Sequence, residues 1–172
     1  MRIAYTMAPG RGDTDLVLHQ VAQSVIQAGY CPAGTAQINT ERADAGPCDM
    51  DVLVLPDGPK VRISQSLGRE ARGCRLDPEA LESAVGIALA RLPVSDCLIV
   101  NKFGKHEAEG RGFRSVIADA LALDLPVLVG LNQLNADAFL EFSGGIAQQV
   151  QPDAAEIEDW LFASIGERRE VA

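Results

Sequence analysis

Apolar positions along this chain alternate between two rhythms. Short runs that are almost continuously apolar fall at residues 2–6, 31–38, 96–100 and 126–131, and they predict strands buried on both faces. Stretches of helical period lie between them. Residues 15–28 bring Leu16, Val17, Val21, Val25 and Ile26 close to one side, with Asp13 or Thr14 to cap the helix and Gly29 to end it. Residues 79–91 carry Leu81, Val85 and Leu89 on one face, continued by Leu92. They follow Asp77-Pro78, a capping residue and a proline at the first helical position. Residues 113–122 turn Phe113, Val116, Ile117, Ala120 and Leu121 inward, residues 136–142 form a short helix, and residues 154–165 group Ile157, Trp160, Leu161 and Ile165.

Two departures from this alternation carry turn chemistry. Residues 49–55 and 61–64 flank Pro56-Asp57-Gly58-Pro59 and predict a β-hairpin. Residues 65–75 are polar and arginine-rich and predict a loop, as do residues 101–112, which contain Gly104, Gly110 and Gly112. Strands separated by amphipathic helices imply βαβ units, hence an α/β fold with a mostly parallel sheet. No repeat or linker interrupts the pattern, which predicts one domain over residues 1–172. Ligands of such sheets sit at the carboxyl ends of the strands, which directs attention to the loops after the first strand and after residues 96–100.

Composition narrows the function. A chain of 172 residues with 47% hydrophobic and 23% charged residues has ample material for a core. The net charge of −9 leaves no cation excess for phosphate backbones, so no nucleic-acid partner is expected. Four cysteines without CxxC spacing do not make a disulfide scaffold or a closed zinc site. With neither a secretory leader nor an apolar run of about 20 residues, a cytoplasmic protein without membrane insertion is expected. Charge is uneven, however: residues 60–114 hold 10 basic and 7 acidic side chains inside an acidic chain. That stretch is either an anion site or a solvated face of ion pairs.

The first loop reads Met7-Ala8-Pro9-Gly10-Arg11-Gly12-Asp13-Thr14 between a strand and a helix. This is the position and length of the phosphate loop G-x-x-x-x-G-K-[ST]. Gly12 and Thr14 match; Met7 replaces the first glycine and Asp13 the lysine. The backbone cradle can persist, but an anion stands where the cation belongs. Asp13 also reads simply as a helix cap.

The run Leu98-Ile99-Val100-Asn101-Lys102-Phe103-Gly104-Lys105-His106-Glu107 resembles the D-E-I-G-K-M-E segment of the P-loop nucleoside triphosphatases of thermophiles and animals. The Pro9–Thr14 stretch resembles their P-G-x-G-K-T loop. The stretches NKFGKHEAEGRGFR and SQSLGREARGCRLD resemble a bacterial family of unknown function, related to those triphosphatases, whose members are sometimes labelled molybdenum-transporter ATP-binding proteins. The resemblance implies a three-layer α/β/α sandwich of P-loop type, with the hairpin inserted before its second half. It also implies a link to molybdate metabolism. In the triphosphatases the strand-end aspartate helps hold Mg²⁺ and the next glutamate orients water. Asn101 and Lys102 stand there here, which argues against ordinary triphosphate hydrolysis.

Lys102, Lys105, Arg111 and Arg114 crowd the second loop, and Arg69, Arg72 and Arg75 the polar one. Converging guanidinium groups suit phosphate or another tetrahedral oxyanion; pairing with Glu70, Asp77, Glu107 and Glu109 is the alternative. Cys48 and Cys74 are weak candidates for a soft-metal site beside being small packed residues, while Cys31 and Cys97 belong in strands.

The expected function is therefore a non-hydrolysing binder of a nucleotide or small oxyanion (phosphate, molybdate). Its expected ligand-binding residues are Gly10, Arg11, Gly12, Asp13, Thr14, Arg69, Arg75, Asn101, Lys102, Lys105, Glu107, Arg111 and Arg114. One alternative is a nucleoside triphosphatase or phosphotransferase with rearranged residues, using Thr14 and Glu107. Another is an accessory subunit that acts through a protein partner or as a homodimer.

Overall fold

The computed structural model describes residues 1–40, 48–65 and 75–171. The apolar runs become β1 (Ile3–Thr6), β2 (Pro32–Thr40), β5 (Cys97–Val100) and β6 (Val127–Gly130), and the turn-flanked pair becomes β3 (Asp49–Val54) and β4 (Lys60–Arg62). The two-residue strand β7 (Gln148–Gln149) was invisible as a pattern, because both side chains are polar and exposed. The sheet order is β4-β3-β2-β5-β6-β1-β7. β2, β5, β6, β1 and β7 run parallel, and the β3–β4 hairpin adds antiparallel to β2 at one edge. This is the α/β architecture, with its inserted hairpin, that the sequence pattern implied.

Helices cover both faces. α1 (Asp13–Gln27) and α6 (Ala154–Val171) pack on one side through Leu18, Val21, Val25, Ile157, Leu161 and Ile165, against Ala4, Ile99 and Leu128 of the sheet. α2 (Pro78–Arg91), α4 (Phe113–Ala122) and α5 (Ala136–Phe142) pack on the other through Leu81, Val85, Phe113, Ile117 and Phe139, against Val52, Leu98 and Val129. Parallel strands buried on both faces supply both cores, which is why their sequences are apolar without alternation.

Two helical faces differ from their periodicity. In α1 it is Leu18 that is buried, while Leu16 points to solvent at 69% exposure. In α2, Ala84 and Ala88 take the inner positions and Leu89 is exposed, because small side chains let the helix lie close to the sheet. Asp77 caps α2 as its sequence predicts, accepting from the Glu79 and Ala80 N–H groups. Gly29, at a φ of 83°, follows α1. The α1 cap differs from expectation: Gly12 holds it at a left-handed φ of 88°, and Asp13 and Thr14 lie inside the first turn. No helix among the described residues is long and apolar enough to cross a membrane.

Candidate functional site

The carboxyl end of β1 leads into the first loop and then the N-terminus of α1. No side chain caps that terminus, so its first-turn N–H groups keep the partial positive charge of a helix start. The Thr14 hydroxyl accepts from the Ala8 N–H at 2.9 Å and ties the loop across its own mouth. The exposed Asp13 carboxylate lies against Gly10: a Cβ there would meet Asp13 Oδ2 at 1.9 Å. The residue in the lysine's place thus folds onto the loop itself. Arg11 is exposed at the tip.

Behind this loop, where α1 crosses the end of β5, lies a buried polar knot that the sequence did not announce. Asp15, 3% exposed, accepts from Asn101 Nδ2 at 2.9 Å and from Gln37 Nε2 and Asn39 Nδ2 at 3.2 Å each. Lys102 Nζ stands 3.6 Å from the same carboxylate. Asn101 Oδ1 in turn accepts from the Gln37 backbone N–H at 2.8 Å. A carboxylate buried this deeply needs several donors, and it has them from β2 and from the segment that leaves β5. An amide that donates to Asp15, with an ammonium beside it, is not a donor set for Mg²⁺, which takes oxygen ligands.

The second loop is closed by its own acids. Residues 101–112 contain a short helix, α3 (Lys105–Ala108), that the three glycines concealed. Glu107, 3% exposed, accepts from the Gly104 N–H at 2.9 Å and the Phe113 N–H at 3.3 Å. Glu82 reaches over from α2 and takes the Gly112 N–H and His106 Nε2 on one oxygen, at 2.9 and 2.8 Å. Burial pushes the Glu82 carboxyl up, but the bonds from His106 and Gly112 outweigh it and leave it below the usual glutamate range. Gly112 cannot carry a side chain here, since a Cβ would meet Glu107 Oε1 at 2.3 Å at a φ of 58°.

The basic residues of this region do not converge. Arg111 pairs with Glu109, and Lys105 stands 3.7 Å from the same carboxylate. These cations hold Glu109 below its ordinary range, chiefly through the Arg111 bond. Arg114 lies over the Phe142 ring at 4.4 Å from its centre and reaches the Glu107 carbonyl. Arg75 donates to the Cys48 carbonyl at 3.0 Å and stands 3.6 Å from Asp49. Arg69, Arg72 and Cys74 lie outside the described residues. Cys48 is exposed and Cys97 is buried, where desolvation pushes its thiol up. Among the described residues no group of three or more His, Cys, Asp or Glu is arranged to hold a metal.

A cleft of about 290 Å³ opens on the α2 side of the same sheet edge. Met50, Val52, Ile63, Leu76, Leu81 and Phe113 line it, with Thr35, Lys102, Lys105, Asn132 and Asn135 as polar members. Gln37 and Asn101 line it too, so the Asp15 knot is the partition between this cleft and the first loop. Sequence reasoning missed Asp15, Gln37, Asn39, Glu82 and Thr35. Each sits alone in an apolar or helical context, and only the fold brings them together.

The chain matches, over residues 3–160, the model of a family described as a protein of unknown function, DUF2478, and it belongs to that family. It is 32% identical over 160 residues to a protein of Bradyrhizobium diazoefficiens named molybdenum import ATP-binding protein ModC 2. The match takes in 92% of this chain but spans only 18% of that relative's length. Among solved structures it is similar to one described as a human cancer-related nucleoside triphosphatase, with a TM-score of 0.61, 18% identity and 87% of each chain covered. The chain therefore has the fold of that triphosphatase.

Proposed function

We propose that this member of the DUF2478 family binds a small anion, a nucleotide phosphate or an oxyanion, and does not hydrolyse it. The observation that carries this reading is the Asp15 knot. The place a triphosphatase gives to Mg²⁺ is filled by an internal set of hydrogen bonds among Asp15, Asn101 and Gln37, with Lys102 as the cation. Phosphoryl transfer needs a lysine and a metal to offset developing charge. Asp13 and Asn101 supply neither. Binding needs less: the uncapped start of α1, the glycine loop of residues 9–14 and the half-exposed Lys102 ammonium are enough to hold an anion. On this reading Glu107 is no acid catalyst, because two backbone N–H groups occupy its carboxylate.

The name of the Bradyrhizobium relative makes molybdate the first oxyanion to try. Its greater length favours a second reading, in which a unit of this kind serves as an accessory part of a larger import protein.

Melting of the purified chain against phosphate, molybdate, ATP and GTP tests the proposal. A ligand at 100 times its Kd adds about 2.7 kcal/mol and raises the melting temperature by several degrees. That rise is expected without Mg²⁺ and is expected to shrink in Lys102→Ala. No rise with any of the four overturns the anion reading and leaves the accessory one.

A further inference from the structure

We infer that the cleft on the α2 side is a second ligand site, separate from the first loop, built for a small flat organic anion: an aromatic or heteroaromatic ring system carrying a carboxylate or phosphate. Its volume of about 290 Å³ lies at the small end of the range for organic ligands, which suits one or two fused rings. The walls are apolar and come from rigid elements: Val52 of β3, Leu81 of α2 and Phe113 of α4 are fully or nearly buried beside it.

Of the polar groups that line it, Gln37, Asn101, His106 and Glu107 are bonded within the fold, which leaves Thr35 and Asn132 for a ligand. Thr35 is 2% exposed and lines the cleft, so what access its hydroxyl has is from the cleft, where a ligand can bond it. At the rim, the Asn132 oxygen is engaged by the Asn135 backbone and side-chain N–H groups, which leaves the Asn132 NH₂ to donate outward. A pure hydrocarbon chain would leave these groups unpaired; the edge of a heterocycle would not.

Charge completes the specificity. Lys102 lines the cleft, half-exposed and 3.6 Å from Asp15, and Lys105 lies 86% exposed beside it, 3.7 Å from Glu109. Glu107 also lines the cleft, but its two oxygens are turned to the Gly104 and Phe113 N–H groups. An acidic substituent at the mouth meets two ammonium groups. Lys102 then serves both sites, so a ligand in the cleft draws it from Asp15.

The test is an amide-resolved NMR titration of the whole chain with naphthoate, its neutral analogue naphthamide, and inorganic phosphate. Naphthoate is expected to move the signals of Thr35, Val52, Phe113 and Asn132, and naphthamide to bind about three- to fivefold more weakly for want of the ion contact. Lys102→Gln should reduce naphthoate affinity by a similar factor, and Leu81→Trp should abolish binding by filling the space. Should Leu81→Trp not fold, Thr35→Val keeps the cleft's shape and is expected to weaken binding. No movement at the cleft signals with naphthoate overturns the site. Equal binding of naphthamide with no effect of Lys102→Gln overturns its preference for an anion. Phosphate is read at Gly10, Gly12 and Thr14, so failure of the first-loop reading shows at different signals.

Discussion

The loops after β1 and after β5 leave the same edge of the sheet, and both offer backbone N–H groups where a strand gives way to a helix. They treat those groups in opposite ways. After β5, the Gly104, Gly112 and Phe113 N–H groups are already taken by the carboxylates of Glu107 and Glu82. After β1, the first turn of α1 has no side-chain cap, and the loop is held by the Ala8 N–H bond to Thr14 and the Asp13 N–H bond to the Gly10 carbonyl. The second loop carries its own anions; on the proposed reading, the first is left to receive one. A basic sequence is thus a poor guide to where an anion goes. Arg111, Arg114 and Lys105 are held by Glu109, Phe142 and the Glu107 carbonyl, and the uncapped helix start belongs to a loop that carries Asp13 as well as Arg11.

The sharpest way to break this contrast is to remove the internal anion of the second loop. Glu107→Ala leaves a buried and a part-buried N–H group without acceptors and is expected to cost about 3 kcal/mol. For a chain of this size that lowers the melting temperature by about 6–12 °C. Glu107→Gln keeps one acceptor and should lose less than Glu107→Ala. A Glu107→Ala protein as stable as the parent would mean that the carboxylate does not hold the loop.

The knot between the loops gives the next largest effect, and a two-sided one. Asp15→Asn keeps the shape but sets an NH₂ group against the donors of Gln37, Asn39 or Asn101, at a cost of about 1–2 kcal/mol in chemical denaturation. It also releases Lys102, so phosphate affinity should rise a few-fold while stability falls. A fall in both would place Asp15 in the anion site rather than behind it.

In the first loop, Thr14→Val removes the acceptor of the Ala8 N–H and should cost about 1 kcal/mol, less than any change at Glu107. The smallest effect is in pH. The Glu82 carboxyl lies below its ordinary range in the folded protein. Its contribution to stability is therefore present above the ordinary glutamate pKa and is lost as the pH falls through the lower folded value. Glu82→Gln should flatten the acid limb of a melting-temperature profile at that end. Because Glu82 is about half exposed, the change will be modest.

How far the sequence reached can be read from these same residues. The strands, both sheet-covering helix sets and the Asp77 cap were legible, since each rests on local periodicity or a local bond. The inward faces were partly misread: in α1 Leu18 and not Leu16 turns inward, and in α2 alanines pack where Leu89 was expected. β7 was not legible, because its pairing with Ala4 and Tyr5 comes from the sheet and not from its own two glutamines. The two loops at the carboxyl ends of β1 and β5 were legible. The buried contacts between them were not. Asp15 reads as an ordinary first-turn acid, and Gln37 as an ordinary polar strand residue. Only the crossing of α1 over β5 turns them into a buried knot. The pairing of Arg111 and Lys105 with Glu109 was legible as an alternative, but that of Glu82 was not: it lies 24 residues from His106 and meets it only when α2 lies beside the loop.

The central claim is that this fold keeps a phosphate loop's binding and has given up its chemistry. One measurement tests it directly: melting and phosphate release followed on the same sample with ATP, GTP, phosphate or molybdate, each with and without Mg²⁺. The account predicts a rise in melting temperature with at least one of these anions, equal with and without Mg²⁺, and no phosphate released from either triphosphate. Phosphate release that requires Mg²⁺ would contradict it, and would put a working metal site where the Asp15 knot now stands.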